Sequence, residues 1–283
     1  MDVLIEGARA LGIELDSDQA RAFRVYADEL LAWNAKFNLT AITNRAEIDR
    51  KHFLDSLAAL PLITPLFPAP GSGPSGSARS APIGANEGAQ STPGVDTHTD
   101  STGAVLASPA ASAPIGLRVL DVGAGAGLPA VPLKLVCPAW RVTLLEATRK
   151  KCDFLEHLAI VLPLRATRVL WGRAEGAGRL PAEREQYDLV LARAVAELDV
   201  LAEYMLPFAR VGGYCLAWKG DAAEEVRAAA HAIELLGGRL SAVYAVRVPG
   251  VDAARSIVLI EKVAPTPEAY PRREGVPAKR PLR

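Results

Sequence analysis

The sequence predicts an α/β fold: a mostly parallel, doubly wound sheet with an antiparallel edge strand, joined to a small N-terminal helical subdomain. Three observations lead there. After residue 117, short runs rich in Val and Leu alternate with helical patterns. A glycine-rich loop follows the first of these runs directly. The last two runs are separated by only a short loop, so they pair as a hairpin.

In chain order, residues 1–67 read as helices. Ala22, Phe23, Tyr26, Leu30 and Trp33 recur at steps of three and four between Gln19 and Trp33, which lays them on one helical face. Asn44 is placed to cap a further helix whose face includes Ile48, His52, Asp55 and Leu60. The polar and aromatic connector LAWNAKFNLTAI lies between the two.

Residues 68–116 differ from everything around them. Of these 49 residues, 37 are Ala, Gly, Pro, Ser or Thr and none is aromatic. Such a composition buries too little apolar surface to offset ordering the backbone, about 1–2 kcal/mol per residue. A disordered insertion is expected. The pentapeptide SAPIG occurs in it twice, at Ser80 and at Ser112.

The domain expected over residues 117–263 carries LRVLDVG, RVTLLEA, TRVLWGR, YDLVLAR and GGYCLAWKG, each apolar on both faces, as strands of a buried parallel sheet are. Helical patterns separate them, and AAEEVRAAAHAIELLGG stops at Gly237 and Gly238. This succession is doubly wound. VYAVRVP and SIVLIEKV then add an antiparallel edge, which departs from the plain dinucleotide-binding fold and points to the methyltransferase variant.

The loop Asp121-Val122-Gly123-Ala124-Gly125-Ala126-Gly127 turns sharply and lets a ligand approach main-chain N–H groups. It is neither the G-x-G-x-x-G of dinucleotide sites nor a P-loop, which needs GK[ST]. Asp121 would repel a pyrophosphate but suits an ammonium group. S-adenosylmethionine (SAM) has an ammonium, a sulfonium and no phosphate. Glu146, closing the next strand about 20 residues on, can accept both ribose hydroxyls of an adenosine. Ala174 and Glu175 follow the third strand, where an adenine would be met or where a loop is merely solvated. Arg193 closes YDLVLAR at the carboxyl edge where open α/β sheets bind ligands.

Thirty-two basic residues balance thirty-two acidic ones, so net charge predicts neither nucleic-acid nor membrane affinity. Cys137, Cys152 and Cys215 form no CxxC pair, so no metal site and no disulfide framework are expected, and Cys137 reads as core packing. No apolar run reaches the roughly 18 residues of a membrane span, and Asp2 and Glu6 stand where a signal peptide needs basic residues. A cytoplasmic protein is expected.

LAWNAKFNLTAI followed by KHFLDSL, then VLDVGAGAGLPAVPL, LARAVAEL and LAWKG, resemble the RsmG family, also called glucose-inhibited division protein B. The resemblance spans roughly residues 15–63 and 117–270. It implies a SAM-dependent enzyme that methylates N7 of one guanine in a decoding-region loop of 16S rRNA, with the small ribosomal subunit as partner. It implies SAM contacts at Gly123, Leu128, Ala174, Glu175 and Arg193, beside the candidates Asp121, Gly125, Gly127 and Glu146. The insertion and the alanines in the glycine loop depart from the family's commoner pattern.

Guanine N7 has a lone pair and no proton, so attack on a sulfonium methyl needs no general base, and no catalytic residue is assigned. Cations must grip the RNA phosphates. Arg149, Lys150 and Lys151, Lys219, and the basic, proline-rich tail 264–283 with Arg272 and Arg273 are the candidates. From Lys262 to Arg283 that tail has six basic residues against two acidic ones, a balance of +4, and it reads as an extended arm or a solvated tail. His52 and Asp55, three apart on one helix, could face the RNA or merely be solvated. The alternatives are a methyltransferase of another substrate on the same fold, and a SAM-binding regulator without catalysis.

Overall fold

The computed structural model describes residues 2–68 and 116–283, so the composition-biased insertion lies outside the described residues except at its two ends. Helices α1 (Asp2–Ala10) and α2 (Ser17–Phe37) open the chain. Asp16 caps α2 by accepting from the N–H groups of Asp18 and Gln19 at 2.9 and 2.8 Å, and Gln19 returns a bond to the Asp16 N–H. Asn38, left-handed at φ 41°, ends it. The helix is therefore longer at both ends than its apolar face alone predicts. Asn44 caps α3 (Arg45–Ile48) as expected, its Oδ1 accepting from Glu47 N at 3.2 Å.

α3 does not end there. It widens into a π-helical stretch, Asp49–Leu54, before tightening again as α4 (Asp55–Leu57), with α5 (Leu60–Ile63) close behind. A π turn leaves carbonyls off the regular ladder, free for outside donors. His52 O accepts from Ser56 Oγ at 2.6 Å. Arg193, more than a hundred residues away, uses the same carbonyl and that of Lys51.

The sheet has seven strands in the order β3-β2-β1-β4-β5-β7-β6: β1 (Arg118–Val122), β2 (Arg141–Glu146), β3 (Thr167–Trp171), β4 (Tyr187–Arg193), β5 (Ala209–Lys219), β6 (Gly238–Ala245) and β7 (Ser256–Lys262). The first five are mutually parallel, while β7 lies antiparallel between β5 and β6. This is the expected doubly wound sheet with an antiparallel edge. One boundary differs: β6 already begins at Gly238, so Gly237 alone stops the preceding helix. Gly237 has φ +80°, and a Cβ there would collide with the Ala264 carbonyl oxygen.

The strand order reverses between β1 and β4, which splits the helices between two faces. On one face α6 (Ala130–Val136) and α7 (Arg149–Val161) pack with the N-terminal helices in one continuous apolar cluster, in which Phe23 and Phe53 lie 5.1 Å apart. Leu30, Phe53, Leu133 and Leu158 are all fully buried there. The N-terminal helices thus close the sheet domain's core rather than enclosing one of their own. On the other face α8 (Ala174–Ala177), α9 (Leu198–Met205) and α10 (Ala223–Leu235) cover Leu120, Val190 and Val258.

The tail corrects an expectation. It is not an extended arm: Arg184 donates to the carbonyls of Thr266, Pro267 and Tyr270, Arg283 pairs with buried Asp199 at 2.9 Å, and α11 (Val276–Lys279) forms within it. Lys262, counted among the tail's cations, is wholly buried and donates to Leu206 O and Leu236 O. Backbone carbonyls, which carry no side-chain signal in the sequence, bind this segment to the domain.

Among the described residues no helix is long and apolar enough to cross a membrane, and no three His, Cys, Asp or Glu side chains gather as metal ligands. The cysteines are free and buried, and burial pushes the Cys137 thiol up to about 12.

Candidate active site

The glycine loop leaves β1 with three positive φ angles, +70° at Gly123, +56° at Gly125 and +89° at Gly127. No other residue type adopts such a series without strain. Its N–H groups are partly tied down: Gly123 and Ala124 both donate to Leu145 O, at 2.8 and 3.0 Å. Glu146, buried at the end of β2, accepts from Gly125 N at 3.0 Å and Thr148 N at 2.7 Å, so its carboxylate is also the brace between loop and strand. A Cβ on Gly123 would lie 2.9 Å from Val195 Cγ2, whereas one on Gly125 would meet nothing nearer than 3.8 Å. The loop is packed on one side and open on the other.

Asp121 is fully buried beneath this loop. Its Oδ2 accepts from Ala130 N at 3.0 Å, while Oδ1 has no hydrogen-bond partner among the described residues. Burial raises its pKa from the usual carboxylate range to about 7, against the lowering effect of that N–H and of nearby Arg193. A buried polar atom left unpartnered costs free energy. A cationic donor arriving at Oδ1 would remove that cost, so this site fits the ammonium of an amino acid.

A cleft beside the loop brings together Gly123, Ala174 and Glu175, three of the sequence candidates, with Gly172, Val195 and Tyr204. Glu175 is buried and its Oε1 accepts from Gly275 N at 2.9 Å. Sequence reasoning missed Val195 and Tyr204: the first lies after β4 inside LARAVAEL but was given no role, and the second lies on α9 outside any motif. Leu128 is buried in the core. Gly127 packs there too, a Cβ on it lying 2.8 Å from Val131 Cγ2 and 2.9 Å from the Tyr26 hydroxyl. Tyr26 itself donates to Ala126 O at 2.5 Å and so anchors the loop from α2. Burial raises the Tyr26 pKa, so this hydroxyl stays a donor.

Across β4 lies a second cavity of about 390 Å³, lined by Lys51, His52, Asp55, Arg193, Trp218 and Arg255 among others. Here His52 and Asp55 are not on a solvated face. Arg193 Nη1 lies 2.6 Å from Asp55 Oδ2 and Nη2 lies 3.0 Å from His52 Nδ1. Arg255, from the β6–β7 connection, reaches Asp55 Oδ1 at 3.1 Å, and Trp218 Nε1 donates to Asp55 O at 3.0 Å. His52 Nδ1 faces both the Arg193 fork at 3.0 Å, which can only donate, and the Lys51 carbonyl at 3.3 Å. The shorter Arg193 contact makes Nδ1 the acceptor, so Nε2 carries the proton toward Thr40 Oγ1, 2.8 Å away. Burial first, and Arg193 second, lower the His52 pKa to about 4, so the imidazole is neutral. The resemblance implies Arg193 as a SAM contact; here the N-terminal helices occupy its fork. Thr40, inside LAWNAKFNLTAI, was given no role there, and Arg255 stood in no motif; both were missed as site residues.

The proposed phosphate grips divide. Arg149 pairs with Asp153 at 2.9 Å and lies 5.4 Å over the exposed Trp171 ring; Lys150 lies 5.4 Å over Phe37; Arg273 is exposed. Lys219 is committed instead to Ala196 O at 2.6 Å and to Glu225 at 2.5 Å. Arg272 is committed to buried Glu203 through four contacts of 2.6–3.0 Å. Buried Glu203 demands a partner and Arg272 supplies it, while Lys219 answers the partly exposed Glu225.

The description "GidB: rRNA small subunit methyltransferase G" belongs to a family whose model matches residues 19–69 and 102–256. Three relatives carry the name ribosomal RNA small subunit methyltransferase G. The one from Roseiflexus sp. (strain RS-1) is 44% identical over 283 residues, covering 100% of both chains. Those from Chloroflexus aggregans and Symbiobacterium thermophilum are each 43% identical, covering 99% of this chain and 97% of the relative. Matched by that family over most of its length and by these relatives from end to end, the chain belongs to the GidB family of rRNA small subunit methyltransferases.

Proposed function

We propose that this chain transfers a methyl group from SAM to N7 of one guanine in the 16S rRNA of the small ribosomal subunit. SAM supplies an electrophilic methyl on a sulfonium. On this reading Asp121 Oδ1 receives the ammonium, Glu146 faces the ribose, and the Ala174–Glu175 wall with Gly123 and Val195 receives the adenine. The guanine enters the cavity on the other side of β4, where Arg193 and Arg255 are both paired with Asp55 and Lys51 with Glu47.

The single observation that carries the N7 reading is the state of His52. Methylation of a hydroxyl or an exocyclic amine requires a proton to leave. N7 loses none: its lone pair forms the N–C bond as the C–S bond breaks, and the purine takes the positive charge. In the target cavity the one imidazole has its lone pair facing Arg193 and its proton facing Thr40, so it offers no free base. The residues then act by holding N7 in line with the methyl at about 3–3.5 Å. Purified protein, labelled SAM and unmethylated 30S particles test this, with naked 16S rRNA in parallel. Label at a single guanine where borohydride and aniline then cleave the strand is the expected result. Label at a ribose or an exocyclic amine would refute the N7 assignment.

A further inference from the structure

The C-terminal segment reaches the cofactor cleft from behind. Arg272 donates its main-chain N–H and Nε to Glu203 Oε1 at 2.6 and 3.0 Å, and Nε and Nη2 to Oε2 at 3.0 and 2.6 Å. The Glu203 side chain has no exposed surface, and its neighbour Tyr204 lines the cleft. Three residues further on, Gly275 N donates to Glu175 Oε1 at 2.9 Å, and Glu274 Oε2 stands 3.6 Å from Arg173 Nε. The strap lies directly against α8. A Cβ on Gly178 would sit 3.2 Å from Pro271 Cγ, and one on Gly176 would sit 3.4 Å from Glu274 Oε1.

α8 has four residues, a single turn, and a helix that short does not hold itself in water. Its place must come from what flanks it. On one side that is the sheet; on the other it is the strap, fixed to α9 by a planar guanidinium matched to a carboxylate. We infer that Arg272 is a positioning residue for the methyl donor: by locking Tyr270–Gly275 to Glu203, it holds Ala174, Glu175 and Tyr204 in the geometry that receives the adenosine end of SAM. The inference rests on the SAM reading above and gives the tail's cation a role other than gripping RNA. A lysine at 272 would keep the charge and lose the fork.

Parent protein, Arg272→Lys, Arg272→Ala and a chain ending at Ala269 are to be titrated with SAM by calorimetry, at a temperature where circular dichroism finds each folded. Methylation of 30S particles then separates KM for SAM from KM for the particle. Outer-shell partners of metal ligands change affinity about 10- to 100-fold, and on the same supporting logic Kd for SAM should rise about ten-fold or more in Arg272→Ala and the shortened chain. Arg272→Lys should lie between these and the parent, and KM for the particle should stay within about two-fold in all three. A SAM Kd that stays within about two-fold of the parent, or a defect confined to the particle's KM, overturns the inference. If Arg272→Ala and the shortened chain do not fold, Arg272→Lys decides by the same two constants. A parent that takes up no SAM sinks the cofactor reading, and the inference with it, in the first titration; a parent that binds while the variants match it sinks the inference alone.

Discussion

An ionised carboxylate buried with one oxygen unpartnered destabilises the chain that carries it, and Asp121 is such a group. Its folded pKa of about 7 lies above the unfolded value of about 3.9, so the native state holds the proton longer. Stability is therefore lost as pH rises from about 4 to about 7, and the cost is fully present above that. Asp121→Asn should melt higher than the parent at pH 8, by on the order of 2–4 kcal/mol, and should match it near pH 4. The same variant should bind SAM poorly at every pH, while the parent's affinity falls as pH drops below about 7. Thermal melts and titrations across that range check both signs; a parent more stable than Asp121→Asn at pH 8 contradicts the account. Gly123 gives a second test. Gly123→Val places a β-branched side chain at φ +70° and against Val195, on the cleft wall. SAM binding should disappear while far-UV circular dichroism is retained, and unchanged affinity in calorimetry would remove Gly123 from the site.

β4 and the π-helical stretch of the N-terminal helices form one unit through Arg193. Arg193→Lys should lose roughly 1.5–3 kcal/mol of stability with turnover reduced, because one ammonium cannot serve Asp55, His52 and two carbonyls together. Arg193→Ala leaves Asp55 to Arg255 alone and should cost more, about 3–5 kcal/mol. Denaturant melts compared at two salt concentrations decide, since an exposed charge would respond to salt and a buried fork would not. Much of this unit was legible beforehand. Alternation of apolar runs showed the strands, three glycines behind Asp121 showed the loop, and His52, Asp55 and Arg193 were each marked. Their convergence was not legible, because a π turn leaves no periodicity of its own and Arg255 enters from a connecting loop. Tyr204 and Val195 escaped for the same reason: a cleft wall needs only shape, and shape selects no residue type.

Over the whole molecule, the segment 69–115 joins Pro68 to Gly116 without aromatic residues of its own. Replacing it with a joint of about ten residues should lower the loop-closure cost by about 1 kcal/mol and leave activity within a few-fold of the parent. A large drop in melting temperature or in SAM affinity would show that the segment packs on the domain. The tail was the poorest forecast, since its six cations read as an RNA arm while three of them, Lys262, Arg272 and Arg283, answer carboxylates or carbonyls buried in the fold. Basic composition and buried pairing look alike until partners are known. The shared core has a consequence for synthesis. Tyr26 waits for Ala126, one hundred residues downstream, and Leu30 waits with it for the α7 side of the core. At ribosomal speeds of about 5–20 residues per second, the nascent helices keep an apolar face bare for roughly 5–20 s. A chaperone binding early chains should therefore prefer this face, and the cleft wall behind Arg272 closes only once residues 270–275 have emerged.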